Sequence, residues 1–181
     1  MALMKQSNAA LPDYLRPDLR ILFVGINPGL KSAAVGHHFA GHSNRFWKLL
    51  YESDLINIRL TYRDDYRLPE WGLGLTNIIG RKSAGIGALD PAEYRAGLHE
   101  LEQKIIRYQP RIIALLGVTI FRILFPAMDR SPGPLPLGLT GARLAGGPVF
   151  LLPNPSGRNA HYSYQVMLTA FRTLRKEAGS Q

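Results

Sequence analysis

Apolar residues in this chain fall into short blocks separated by Gly- and Pro-rich segments, and the blocks are of two kinds. Ile21-Leu22-Phe23-Val24 and Val149-Phe150-Leu151-Leu152 are continuous runs, the pattern of central parallel strands buried on both faces. The first is predicted as a strand over 21–26 and the last as a strand leading to Asn154. Arg111–Leu116 reads as a third strand, and Leu73–Ile79 as a shorter strand-like segment. The other blocks have helical spacing. Ser43 can cap a helix running to about Ser53, with Phe46, Leu49 and Leu50 on one face. Asp90-Pro91-Ala92-Glu93 supplies an N-cap, a first-turn proline and a capping-box carboxylate for a helix to about Tyr108. A short helix is predicted over Val118–Phe125 after Gly117. A last amphipathic helix starts near Ser163 and carries Val166, Leu168, Phe171 and Leu174.

The remaining segments read as connections. Residues 1–18 form a polar lead-in, with Pro12 and Pro17 preventing a long helix. Asn27–Ser43 is a long loop, Tyr62–Trp71 is charged and irregular, Arg81–Ala88 is a Gly-containing loop, and Ser131–Gly147 is a surface loop or hairpin. Strands alternating with helices predict an α/β fold: one three-layer domain over 1–181, with a mainly parallel twisted central sheet flanked by helices.

The 181 residues suffice for one domain with a proper core. No apolar run approaches the roughly 20 residues of a membrane span. Met1–Ser7 lacks the apolar core of a signal peptide, so a cytoplasmic protein without a membrane partner is expected. The absence of cysteine removes disulfides, iron–sulfur clusters, thiolate nucleophiles and Cys-type zinc sites. The net charge of +9 points to a polyanionic partner. Basic residues are spread from Arg16 to Lys176, as on a folded surface, and no basic amphipathic helix stands out, which favours nucleic acid over membrane.

Two Asn-Pro segments follow predicted strands: Gly25-Ile26-Asn27-Pro28-Gly29 and Asn154-Pro155-Ser156-Gly157-Arg158. Ligands of open α/β sheets bind at the carboxyl ends of strands, and two such loops can face one crevice. The first is neither a dinucleotide fingerprint nor a P-loop, and alone it reads equally well as a turn that ends a strand. His37, His38 and His42 lack metal-ligand spacing and a carboxylate close in sequence, so no metal is expected, and the loop is read as touching phosphate or solvent. Asp64-Asp65 falls in the charged segment, and Asp90 and Glu93 are caps, leaving Glu93 as a weak acid–base candidate. Ser156 is not in an esterase elbow. Phe46, Trp47 and Tyr51 read as core, whereas Phe39 in Gly36-His37-His38-Phe39-Ala40-Gly41 either stacks on a flat ring or pins its loop.

Taken in order, Gly25-Ile26-Asn27-Pro28-Gly29-Leu30, Gly36-His37-His38-Phe39, Asn44-Arg45-Phe46-Trp47, Gly74-Leu75-Thr76-Asn77, Tyr108-Gln109-Pro110 and Asn154-Pro155-Ser156-Gly157 resemble the mismatch-specific uracil/thymine DNA glycosylase family, the family 2 uracil-DNA glycosylases. The set covers nearly the whole chain. The resemblance implies a uracil-DNA glycosylase-like fold and a monofunctional enzyme of base excision repair. Such an enzyme flips uracil, or thymine and other damaged pyrimidines, from G·U or G·T mismatches in double-stranded DNA and hydrolyses the N-glycosidic bond without cofactor or metal. It also implies that Asn27 orients the attacking water, that Phe39 stacks on the flipped base, and that Ile26, Gly29 and Phe39 contact the uracil edge. Ser32 and Asn77 join the substrate-binding set, Ser32 being close enough to the first motif to influence a thymine methyl. Asn154, Pro155, Ser156, Gly157, Arg158 and Asn159 form the implied DNA-binding wedge. Arg158 departs from members with an apolar wedge residue. Nothing points to an obligate partner, so a monomer is expected. The rival readings are a non-catalytic DNA-binding protein on the same fold and a small-molecule nucleotide enzyme.

Overall fold

The computed structural model describes residues 10–81, 90–128 and 135–179. Five strands form one sheet in the order β2-β1-β3-β5-β4: β1 (Ile21–Gly25), β2 (Leu73–Asn77), β3 (Ile112–Leu116), β4 (Gly138–Leu144) and β5 (Gly147–Leu152). All neighbours are parallel except β4, which runs antiparallel on the edge. The helices are α1 (Leu30–Val35), α2 (Phe46–Glu52), α3 (Pro91–Tyr108), α4 (Val118–Leu124) and α5 (Tyr164–Ala178).

Alternation along the continuous apolar runs supplies both faces of the sheet. Ile21, Phe23, Ala114, Phe150 and Leu152 point to one side, where α2 and α5 contribute Phe46, Leu49, Leu50, Met167, Phe171 and Leu174. Leu22, Val24, Ile113, Leu115, Val149 and Leu151 point to the other, against Leu101 and Ile105 of α3 and Ile120 and Phe121 of α4. Two apolar layers thus sandwich one sheet, the predicted three-layer α/β architecture. The start of α3 is as its sequence dictates. Asp90 accepts from the Ala92 N–H at 2.6 Å, Glu93 accepts from the Asp90 N–H at 2.8 Å, and Pro91 opens the helix.

Several connections differ from their prediction. From residue 10, where the described residues begin, the lead-in packs as part of the domain. Leu11 and Leu19 are buried, and Tyr14 exchanges backbone hydrogen bonds of 3.0 Å with Leu75, covering the free edge of β2. The long loop after β1 contains α1, six residues without a side-chain N-cap and hence without a sequence signal for a start. The cap of α2 is not Ser43: the Asn44 carboxamide oxygen accepts from the Phe46 N–H at 2.9 Å. Tyr62–Trp71 is a 3-10 helix opened by a Thr61–Asp64 capping box, in which Asp64 accepts from the Thr61 N–H at 2.9 Å. The segment predicted over Ser131–Gly147 as a surface loop or hairpin is, where described from residue 135 on, the hairpin: it carries β4, paired with β5, so the strand leading to Asn154 is the fifth. In α5, Leu168, Phe171 and Leu174 are buried as predicted, whereas Val166 is exposed and the neighbouring Met167 is buried. The predicted Arg81–Ala88 loop lies, beyond Arg81, outside the described residues. No helix among the described residues is long and apolar enough to cross a membrane.

Candidate active site

The strand order reverses at β1, whose neighbours β2 and β3 both follow it in sequence. A crevice opens outside the carboxyl ends of strands at such a switch point. The segment entering it from β1 is Ile26-Asn27-Pro28-Gly29. Its backbone is fixed from the β2 side, where Ile78 N–H donates to Gly25 C=O at 2.9 Å and Ile79 N–H to Ile26 C=O at 2.8 Å. Gly25 lies close against the Asn77 side chain: a β-carbon there would lie 2.5 Å from Oδ1 of Asn77, which would have to turn away. Asn77 therefore packs two residues from Asn27, whose own side chain is half-buried and donates from Nδ2 to the Pro28 carbonyl at 3.2 Å. Gly29 is exposed at the start of α1.

Beyond α1 the chain returns past the same crevice. Buried Ser32 accepts from the Ala40 N–H through Oγ at 3.1 Å, tying the return to α1. Phe39 takes a left-handed conformation, φ 52°, strain that a non-glycine residue holds only when its surroundings enforce it. Its ring lies on Phe46 at a centroid distance of 4.1 Å and is half-buried.

The residues just before Phe39 are held by Asp65, the residue after the capping Asp64. Its side chain is fully buried. Oδ2 accepts from the His38 backbone N–H at 2.8 Å, and Oδ1 from the Tyr14 hydroxyl at 3.0 Å and faces His37 Nδ1 at 3.0 Å. Burial, reinforced by the Asp65 charge, pushes the Tyr14 hydroxyl far above its ordinary range, so it stays a donor. The His38 ring is buried, and its Nε2 meets the Pro12 carbonyl at 2.8 Å, so the ring proton sits there. Desolvation pushes this imidazole below its ordinary value, against the pull of Pro12. His38 thus lies in the protein interior, not against phosphate or solvent as expected, and the partner carboxylate absent from the local sequence arrives through space. Among the described residues no cluster of three or more His, Asp or Glu side chains could hold a metal.

The second Asn-Pro loop is self-knit. The Asn154 side chain accepts from the Ser156 N–H at 2.9 Å, and Asn159 Nδ2 donates to Asn154 C=O at 2.9 Å. The Arg158 N–H donates to Ser156 Oγ at 3.3 Å, and the Arg158 side chain is exposed. β3 separates β1 from β5, so the two Asn-Pro loops start two strand spacings, roughly 10 Å, apart. The segment before α2 bridges them. Arg45 N–H donates to the buried Pro155 C=O at 2.9 Å, and Gly157 lies against Ser43. Gly117, at the end of β3 with φ 130°, lies under Asn154. Asn27, Ser32, Phe39 and Asn77 therefore share one strand-end region, with 154–159 joined to it through 43–45.

Tyr14, Ser43 and Asp65 were not legible as part of this region. The only local hint was that the Thr61–Asp64 capping box uses the first aspartate and leaves the second without a task. Glu93 is accounted for elsewhere. Arg81 Nη2 donates to it at 2.7 Å, and that contact, with the Asp90 N–H, holds its carboxyl down to about 2. Its geometry is that of an ionised capping group. With Asp65 engaged by its three partners, the region offers a ligand amides, hydroxyls and backbone groups around Asn27, and the exposed Arg158 side chain on the second loop.

An apolar cleft of about 320 Å³ lies between α5 and the β4–β5 hairpin, lined by Leu137, Phe150, Val166 and Ala170 among others. None of the candidate site residues lines it, and its polar side chains are Gln165, Thr169 and Thr173, with no charged group among them. The strand-end region is the better candidate on topology.

The fold is similar to the solution structure of a candidate uracil DNA glycosylase from Methanosarcina acetivorans, with a TM-score of 0.59 and 18% sequence identity over 95% of this chain and 99% of that one. At that identity the likeness concerns the fold alone. The sequence pattern of the uracil DNA glycosylase superfamily matches residues 12–175, from the lead-in that closes β2 to the last turns of α5, and the chain belongs to that superfamily.

Proposed function

We propose that the protein is a monofunctional DNA glycosylase of the mismatch-specific branch, a single-domain monomer that releases uracil opposite guanine from double-stranded DNA. The observation that carries this reading is the placement of Asn27 at the sheet's switch point, beside a strained aromatic loop and joined to a second Asn-Pro loop. In this reading a flipped uracil stacks on Phe39, with Ile26, Gly29, Ser32 and Asn77 around its edge. The loop 154–159 fills the vacated position in the duplex, and Arg158 addresses the unpaired guanine.

Cleavage of the glycosidic bond leaves negative charge on the departing base and positive charge on the sugar. Fixed amide donors stabilise the former without reorganising as charge develops. Asn27 is neutral, so it holds water by hydrogen bonds and does not deprotonate it strongly. A slow chemical step follows. The net charge of +9 supplies affinity for phosphate, whose logarithm falls linearly with the logarithm of salt concentration.

The test is alkali-revealed strand cleavage of duplexes carrying U·G, U·A or T·G, with a chelator present throughout. Cleavage at U·G above U·A supports the reading. Binding without cleavage of any of the three would favour a non-catalytic DNA-binding protein. A fast T·G reaction would extend the substrate to thymine and draw attention to Ser32, whose hydroxyl is engaged by Ala40.

A further inference from the structure

We propose that Asp65, presented by the 3-10 helix that precedes β2, is a positioning residue for the base-binding loop: its carboxylate sets the backbone of His38 and thereby the placement of the Phe39 ring. This rests on the reading of the preceding subsection, in which Phe39 stacks on the base.

The argument runs from the sequence outward. Thr61 and Asp64 begin the 3-10 helix, and with that start fixed the next side chain, Asp65, points inward and is fully buried. A buried carboxylate is costly unless each oxygen is satisfied. Here Oδ2 takes the His38 backbone N–H, and Oδ1 meets the Tyr14 hydroxyl and His37 Nδ1. Two of these three contacts are to residues immediately before Phe39, across 27 and 28 positions of sequence. The third belongs to the lead-in, which also receives the His38 ring on Pro12 C=O. On the far side of Phe39, the Ala40 N–H is held by Ser32. The strained φ of 52° at Phe39 is thus clamped from both sides, by Asp65 before it and Ser32 after it. A ring that must meet a flipped base needs such preorganisation, because a misplacement of about 1 Å can cost about 10²-fold in rate.

The test uses the full chain and two measurements on each variant: the single-turnover rate of uracil release from a U·G duplex, and affinity for the abasic product duplex, which reports the 154–159 loop. Asp65→Ala should slow release by about 10²-fold while product affinity stays near wild type. Asp65→Asn should restore most of the rate, since its amide still accepts from the His38 N–H and can meet the Tyr14 hydroxyl. Tyr14→Phe, which removes one contact and leaves the carboxylate, should slow release by less and leave affinity unchanged. It serves as the readout where Asp65→Ala does not fold.

Release at the wild-type rate by Asp65→Ala, or by Tyr14→Phe where the alanine variant does not fold, would overturn the proposal. So would rate and product affinity falling together without rescue by asparagine, which is the behaviour of a purely structural carboxylate. A wild-type protein that releases no uracil would sink the functional reading itself, and this inference with it.

Discussion

Gly157 is pressed against Ser43: a β-carbon on the glycine would lie 2.6 Å from the Ser43 carbonyl oxygen and closer still to the serine side chain. The contact joins the second Asn-Pro loop to the segment preceding α2, alongside the hydrogen bond from Arg45 N–H to Pro155 C=O. The second Asn-Pro loop is thus fastened to residues 43–45 at two points.

The first prediction follows from that contact. Gly157→Ala inserts a methyl group where backbone and side chain already touch, and overpacking of this kind costs about 1–3 kcal/mol. The Ser43→Gly change should recover part of the loss, since it removes the side-chain clash and leaves the carbonyl. Thermal denaturation of the single and double variants measures both effects, and an unaltered midpoint for Gly157→Ala would refute the packing argument.

Arg158 is exposed at the tip of the self-knit loop, its backbone held by Ser156. Replacement by alanine should leave the fold intact and reduce release from U·G more than from U·A. A well-placed base contact contributes about 1–3 kcal/mol of discrimination, so a differential of about tenfold is expected. Equal losses on the two duplexes would mean that the arginine serves phosphate or shape alone.

Acid sensitivity gives a third test. The Arg81 guanidinium, then the Asp90 N–H, hold the Glu93 carboxyl down to about 2 from its ordinary 4.5. A carboxyl depressed on folding contributes stability that is complete above its unfolded value and disappears as pH falls toward its folded one. Glu93→Gln should therefore flatten the pH dependence of the melting temperature between those two values. Its uracil release near neutrality should match wild type, and a large loss of activity there would restore Glu93 as a catalytic candidate.

Salt provides a fourth. A plot of the logarithm of duplex affinity against the logarithm of salt concentration should be linear and steep, each phosphate contact adding about −0.9 to the slope. A flat plot would show that the charge of +9 serves no nucleic-acid surface.

The parts of this protein legible in its sequence are those whose signals are local. β1 and β5 are continuous apolar runs, and Asp90, Pro91 and Glu93 mark a helix start within four residues. The two Asn-Pro loops follow from the strands before them. What escaped depends on contacts made through space. The six residues of α1 have neither a capping side chain nor the length to show a period. The lead-in looked polar because its task is backbone pairing with Leu75, which leaves little trace in residue type. Val166 reads as core because it lies at helical spacing from the buried Leu174; it sits at the margin of that face, where Met167 is buried in its place. Asp65 meets His38 across 27 positions, so nothing local paired them, and His38 looked solvated for the same reason, whereas His42 is exposed as expected.

The central claim is that Asn27, at the carboxyl end of β1, positions the water that attacks the sugar. Single-turnover release of uracil from a U·G duplex by wild type and Asn27→Ala tests it most directly, with a chelator present and duplex binding measured in parallel. The account predicts metal-independent release by wild type and a loss of about 10²-fold or more in the variant, with binding retained. Equal rates for the two proteins would contradict it.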